Sequence, residues 1–127
     1  MKILGVTIGL LIVLMCSISL SSCSHELEAH KIIEWQGTGG DVKRVDIQGE
    51  QWAVVWQFSP DTPMLGQYIN VFNITVGTPQ GQLSSIVSVA NLSQVTESSY
   101  NGLGQGTYQF TINSFGGAWY LTIYEYK

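Results

Sequence analysis

The chain has 127 residues, of which 45% are apolar and only 11% charged, and its formal net charge is −4. This length accommodates one domain. The acidic balance excludes a nucleic-acid surface, which needs clustered Lys and Arg to meet phosphates.

Lys2 is followed by an apolar stretch from Ile3 to Leu20, broken only by Gly5, Thr7, Gly9, Ser17 and Ser19, and no acidic residue precedes Glu26. A positive start, an apolar middle and small residues after it form the pattern of a secretory signal. A membrane-spanning helix needs about 20 apolar residues. The stretch falls just short of that, and an uncleaved single-span anchor is the competing reading.

The stretch ends in Leu20-Ser21-Ser22-Cys23. These residues resemble the lipobox of bacterial and archaeal lipoproteins, in which a leucine stands three before a cysteine and small residues lie between. The resemblance implies a signal peptide over 1–22, a diacylglyceryl group on the Cys23 thiol and cleavage just before that residue. Two acyl chains hold a protein to a membrane where one does so only marginally. The expected location is therefore the cell envelope, with the domain extracytoplasmic. Ser24 after the cysteine favours, by family habit, the outer membrane in a Gram-negative cell. Cys16 leaves with the signal, so no disulfide is expected, and its spacing from Cys23 excludes a CxxC metal pair. Removal of Lys2 leaves four cations against nine carboxylates, a net charge of −5.

Residues 23–31 read as a polar tether. Within it, His25-Glu26-Leu27-Glu28-Ala29-His30 looks briefly like the HExxH zinc motif. That motif needs histidines four apart on one helix face, and here they are five apart.

From Ile32 onward the apolar pattern has period two, the signature of strands. Ile33 and Trp35 precede the turn Gly37-Thr38-Gly39-Gly40, and Val42 to Ile47 follows. Gln51 to Phe58 puts Trp52, Val54, Trp56 and Phe58 on one face, with Ala53 and Val55 behind. After the Pro60–Pro63 loop, a long strand is expected from Gly66 to Val76, then another from Leu83 to Val89. The Ser-, Asn- and Gly-rich stretch from Ala90 to Gly106 reads as a loop. Thr107 to Asn113 and Ala118 to Tyr126 are the last two strands, with Phe115-Gly116-Gly117 expected to close a hairpin between them. The expectation is an all-β fold: a small antiparallel, jelly-roll-like β-sandwich of about seven to eight strands over 32–127, after the apolar signal helix.

Two stretches near the C-terminus, Gly106-Thr107-Tyr108-Gln109-Phe110-Thr111-Ile112 and Ala118-Trp119-Tyr120-Leu121-Thr122-Ile123, resemble the closing hairpin of bacterial pre-peptidase C-terminal and CUB-like jelly-roll modules. The resemblance implies an accessory binding or structural domain and no catalysis. The disulfides of CUB modules are absent.

Catalytic patterns are missing. There is no G-x-S-x-G elbow, both histidines fall in the expected tether, and Asp41, Asp46, Glu50, Asp61, Glu97 and Glu125 are scattered. Gly102-Leu103-Gly104-Gln105-Gly106 precedes a strand, so it cannot seat a phosphate at a helix N-terminus. A calcium site at Asp41, Asp46 or Asp61 would not follow an EF-hand spacing. No metal, cofactor or catalytic residue is assigned. Two sequons start at Asn73 and Asn91.

On the last strand Trp119, Leu121 and Ile123 share one parity, and Tyr120, Thr122, Tyr124 and Tyr126 share the other. With the first set inward, Tyr120, Tyr124 and Tyr126 form an outward row whose rings suit a glycan or protein ligand. The alternative is that another strand or chain covers them. The expected partners are thus the membrane, through Cys23, and a glycan or protein ligand. The runner-up role is an accessory or assembly subunit of an envelope complex.

Overall fold

The computed structural model describes residues 27–127; the expected signal peptide, Cys23 and the first part of the tether lie outside them. Eight strands follow in order: β1 (Ala29–Gly37), β2 (Asp41–Ile47), β3 (Gln51–Pro60), β4 (Val71–Gly77), β5 (Leu83–Ala90), β6 (Thr96–Leu103), β7 (Gly106–Phe115) and β8 (Gly117–Tyr126). One sheet has the order β1-β8-β3-β6 and the other β2-β7-β4-β5, with every pairing antiparallel.

The topology has a simple physical origin. β1 pairs with β8, β2 with β7, β3 with β6 and β4 with β5, which is one long antiparallel ribbon bent at the β4–β5 turn. Rolling that ribbon adds the β3–β8 and β4–β7 ladders. The product is a jelly roll.

Rolling also explains where simple strand counting goes astray. The β7–β8 connection is not a hairpin, because the two strands lie in different sheets. The chain turns that corner at Gly116, whose φ of +77° favours glycine. A Cβ there would lie 2.3 Å from the Ile69 carbonyl oxygen and 2.9 Å from Asn70 Cβ. Most turns spaced along the sequence are sheet-switching corners of this kind.

Further differences are local. The stretch read as a loop from Ala90 to Gly106 contains β6, an edge strand with no apolar alternation; its pairing with β3 comes from the backbone. β4 begins at Val71 rather than Gly66, because Met64 and Gln67 close a tight turn on themselves. In β5 a bulge opposite Ile74 and Thr75 resets the parity, so that Val87 faces the core while Ser85 pairs outward with Thr75. β1 also takes in Ala29, His30 and Lys31, the end of the expected tether.

The core lies between the sheets. Trp52, Val54, Trp56 and Phe58 of β3 and Trp119, Leu121 and Ile123 of β8 meet Phe72, Ile74, Val76, Tyr108, Phe110 and Ile112 of the other sheet. Phe58 stacks on Phe72 with ring centroids 5.1 Å apart, and Trp52 meets Phe110 edge-on at 5.8 Å. Each such buried side chain contributes about 1.5–3 kcal/mol. Two tryptophans lie across glycines on the edge strands, Trp119 over Gly37 and Trp52 over Gly102. Trp119 Nε1 donates to the Gly39 carbonyl at 2.8 Å.

The chain enters β1 beside Gln51 and Tyr126, at one end of the sandwich. Pro60 and Gly117 mark the far end. Among the described residues no helix is long and apolar enough to cross a membrane.

Candidate functional site

The outward face of the first sheet carries the tyrosines of β8. Alternation along each strand and the ladder registers set out its rows. Gln36, Tyr120, Gln57 and Glu97 form one row across β1, β8, β3 and β6. Glu34, Thr122, Val55 and Ser99 form the next, and Lys31, Tyr124, Ala53 and Asn101 the third.

The three tyrosines are not equivalent. Tyr120 is 37% exposed, Tyr124 is half-buried, and Tyr126 is only 5% exposed. Tyr126 lies where the chain enters β1 and pairs with Ala29 and Gln51; burial raises its pKa. The expected outward row of three is thus reduced to two accessible rings, about 13 Å apart along the strand. Between them the outward positions carry small, covered side chains: Thr122 (6% exposed), Val55 (7%) and Ala53 (1%).

Tyr120 is held in place by charge. Its hydroxyl donates to Glu34, and Glu34 also takes Lys31 as hydrogen-bond and ion-pair partner. Lys31 and then Tyr120 pull the Glu34 pKa below the usual carboxylate value. Donation to Glu34 in turn raises the Tyr120 hydroxyl. The ring is fixed at its polar tip and remains 37% exposed. In its own row and the next stand the exposed polar side chains Gln36, Glu97 and Ser99, and Asn101 stands in the Tyr124 row. Such a surface offers an apolar ring face and many hydrogen-bonding groups, the chemistry that a sugar's C–H face and hydroxyls require.

Glu34 and Glu97 share this face but stand on the two edge strands. Three strand spacings and a two-residue offset along the strands put them about 16 Å apart, beyond the ~5–9.5 Å of glycosidase carboxylate pairs. The aspartates lie elsewhere. Asp41 accepts from the Val42 N–H at 2.8 Å and pairs with Lys43, and Asp46 accepts from Thr107 Oγ1 at 2.5 Å. Asp61 lies at the far end beside Gly116, so the three aspartates are not brought together. Among the described residues no group of three or more His, Cys, Asp or Glu could hold a metal ion.

Glu125 is a structural carboxylate. It is 7% exposed and accepts from the Gln48 and Gly49 N–H groups at 2.7 and 3.0 Å, tying the β2–β3 turn to β8. Burial opposes its ionisation, but those two donors and Lys127 outweigh it and lower its pKa.

Sequence reasoning gave the outward direction of Tyr120 and Tyr124 but missed Glu34, which fixes Tyr120 from 86 positions away.

No protein-family model matches the chain, and no curated protein matches it. Solved structures similar to it include TmCBM61 in complex with β-1,4-galactotriose, at 12% identity and a TM-score of 0.46 over 85% of this chain and 75% of that one. A structure of CBM4 gives 8% identity and a TM-score of 0.45 over 84% and 82%. A disulfide-linked pilus of Bacillus endospore appendages gives 13% identity and 0.38 over 78% and 87%. These are likenesses of fold, and the site described above rests on this chain's own residues.

Proposed function

We propose that the protein is a lipid-anchored envelope protein whose jelly roll is a non-catalytic glycan-binding module. The observation that carries the binding role is the Tyr120 ring, 37% exposed and held at its hydroxyl by Glu34, on the same outward face as the second ring of Tyr124. A pre-positioned aromatic ring loses little freedom on binding. Sugar C–H groups stack on it, and the surrounding amides and hydroxyls take the sugar hydroxyls.

The anchor rests on Leu20-Ser21-Ser22-Cys23. With the lipid on Cys23, the chain rises into β1 at the end that holds Tyr126. Tyr120 then stands about 20 Å further along β8, away from the membrane and open to a ligand in the envelope.

A glycan array probed with the wild type, Tyr120→Ser and Tyr124→Ser tests the binding role. Loss of one stacked ring is worth about 1–1.5 kcal/mol, or roughly tenfold in affinity. Unchanged retention of both variants sinks the glycan reading. For the anchor, Cys23→Ala is expected in the soluble fraction or as an unprocessed precursor. If it is still cut to the same mature terminus, the lipoprotein assignment is wrong.

A further inference from the structure

The second sheet has its own outward face, and one row of it is unusual. Arg44, Gln109, Gly77 and Leu83 lie side by side across β2, β7, β4 and β5. The row sinks at Gly77 into a depression of about 290 Å³, walled by Arg44, Thr107 and Gln109 on one side and Thr78 and Leu83 on the other.

The fold does not demand that glycine. Its backbone is not in the left-handed region. A Cβ at Gly77 would meet Leu83 Cδ2 at 3.4 Å and Gln109 Cβ at 3.8 Å, ordinary packing distances. Gly77 is the last residue of β4, before the Thr78–Gln82 turn, and a glycine in a strand marks a bulge, a bend or the close approach of a ligand or another backbone; neither a bulge nor a positive φ is found at Gly77. Here the missing side chain is what makes room.

Arg44 is distinctive for a second reason. Lys31, Lys43 and Lys127 each pair with a carboxylate. Among the described residues Arg44 alone of the Lys and Arg side chains has no such partner. Its Nε donates to Gln109 Oε1 at 2.9 Å, which fixes the guanidinium and leaves its two Nη groups unclaimed at the rim of the depression. The nearby Asp46 carboxylate is engaged by Thr107 Oγ1. Leu83, 77% exposed, supplies an apolar wall three strand spacings away, about 14 Å.

We propose that this depression is a second ligand site, specific for a carboxylate-bearing saccharide such as an oligouronate. The paired Nη groups of Arg44 match a carboxylate in a two-bond fork. Leu83 takes the C–H face of a neighbouring ring, and Thr78, Thr107 and Gln109 face its hydroxyls. A small inorganic anion would leave Leu83 idle and have only one cation to neutralise it. This assignment rests on the glycan-binding reading but uses the opposite sheet from the tyrosines.

The test is titration calorimetry of the detergent-solubilised full chain against oligogalacturonate, oligoglucuronate and oligomannuronate. Neutral oligogalactan and a peptide with a free C-terminal carboxylate serve as comparisons. The expected result is binding of at least one oligouronate that weakens as salt rises. Arg44→Gln should lose tenfold or more, and Tyr120→Ser should keep the affinity. Gly77→Val fills the depression with a residue that suits a strand, so it should fold with an unchanged or higher Tm and still lose the oligouronate. Neutral binding without oligouronate binding overturns this site and leaves the tyrosine face standing. Preference for the peptide, or Arg44→Gln within twofold of wild type, also overturns it. No binding of any saccharide removes both readings.

Discussion

Replacing Asn70 with alanine is the sharpest test of how the far end of the sandwich is held. Asn70 is 1% exposed, and its side chain mimics a strand partner: it donates to the Leu92 carbonyl at 2.9 Å and accepts from the Leu92 N–H at 2.8 Å. The Asn91 N–H also reaches the Asn70 carbonyl at 2.9 Å. These bonds fasten the β5–β6 connection, in the other sheet's path, to the start of β4. Truncation leaves two main-chain groups of Leu92 without partners, each worth about 1–3 kcal/mol when buried. Leu92 is only half-buried, so water recovers part of this and the lower end applies twice, about 2–3 kcal/mol in all. For a domain of this size that is roughly 10–20 °C in Tm. Urea unfolding followed by tryptophan fluorescence reads it as a lower midpoint at constant m-value. Asn70→Asp keeps the acceptor but sets a carboxylate against the Leu92 carbonyl, and should be at least as unstable at neutral pH. A change below ~0.5 kcal/mol in Asn70→Ala, smaller than one net hydrogen bond, would show that the Asn70–Leu92 bonds do not hold this end of the sandwich.

Other expectations follow from single sites. Because the Glu125 pKa is lowered in the folded state, its contribution is present above the unfolded carboxylate value and is lost as pH falls through the folded one. Wild type should therefore lose more stability than Glu125→Gln between pH 7 and pH 3 in thermal unfolding; parallel profiles would contradict this. A Cβ on Gly102 would lie 2.1 Å from the Trp52 ring, whereas one on Gly39 meets nothing within 4 Å. Gly102→Ala should cost about 1–3 kcal/mol and alter the near-ultraviolet circular dichroism, while Gly39→Ala should leave that spectrum unchanged. Leu65 is fully exposed at φ +50°, a conformation that a leucine adopts at a cost. Leu65→Asn should raise stability by up to ~1 kcal/mol, and Leu65→Val should lower it, in the same urea assay.

Much of the fold was legible because the central strands alternate. Trp52 to Phe58 and Trp119 to Ile123 announce their faces by residue type alone, and both are core strands in the structure. β6 was not legible, since an edge strand needs no apolar face: Thr96-Glu97-Ser98-Ser99-Tyr100 holds its place by main-chain bonds to β3. Sheet switching at Gly116 was equally hidden, because a short turn reads the same whether it closes a hairpin or rounds a corner. At the site, the parity of β8 gave the outward direction of Tyr120 and Tyr124. It could not give the burial of Tyr126, which depends on where β1 starts. Nor could it pair Tyr120 with Glu34, or Arg44 with Gln109, contacts made by the rolled ribbon across 86 and 65 positions.

The glycan-binding face is tested most directly by nuclear magnetic resonance, with amide shifts followed as a neutral glycan retained on the array is added. Binding at this face predicts perturbations along the outward rows of β1, β8 and β3, centred on Gln36, Tyr120, Thr122 and Gln57, with the Tyr126 end and the β2–β7 ladder unmoved. Shifts confined to other strands, with Tyr120 and Tyr124 silent at saturation, would contradict it.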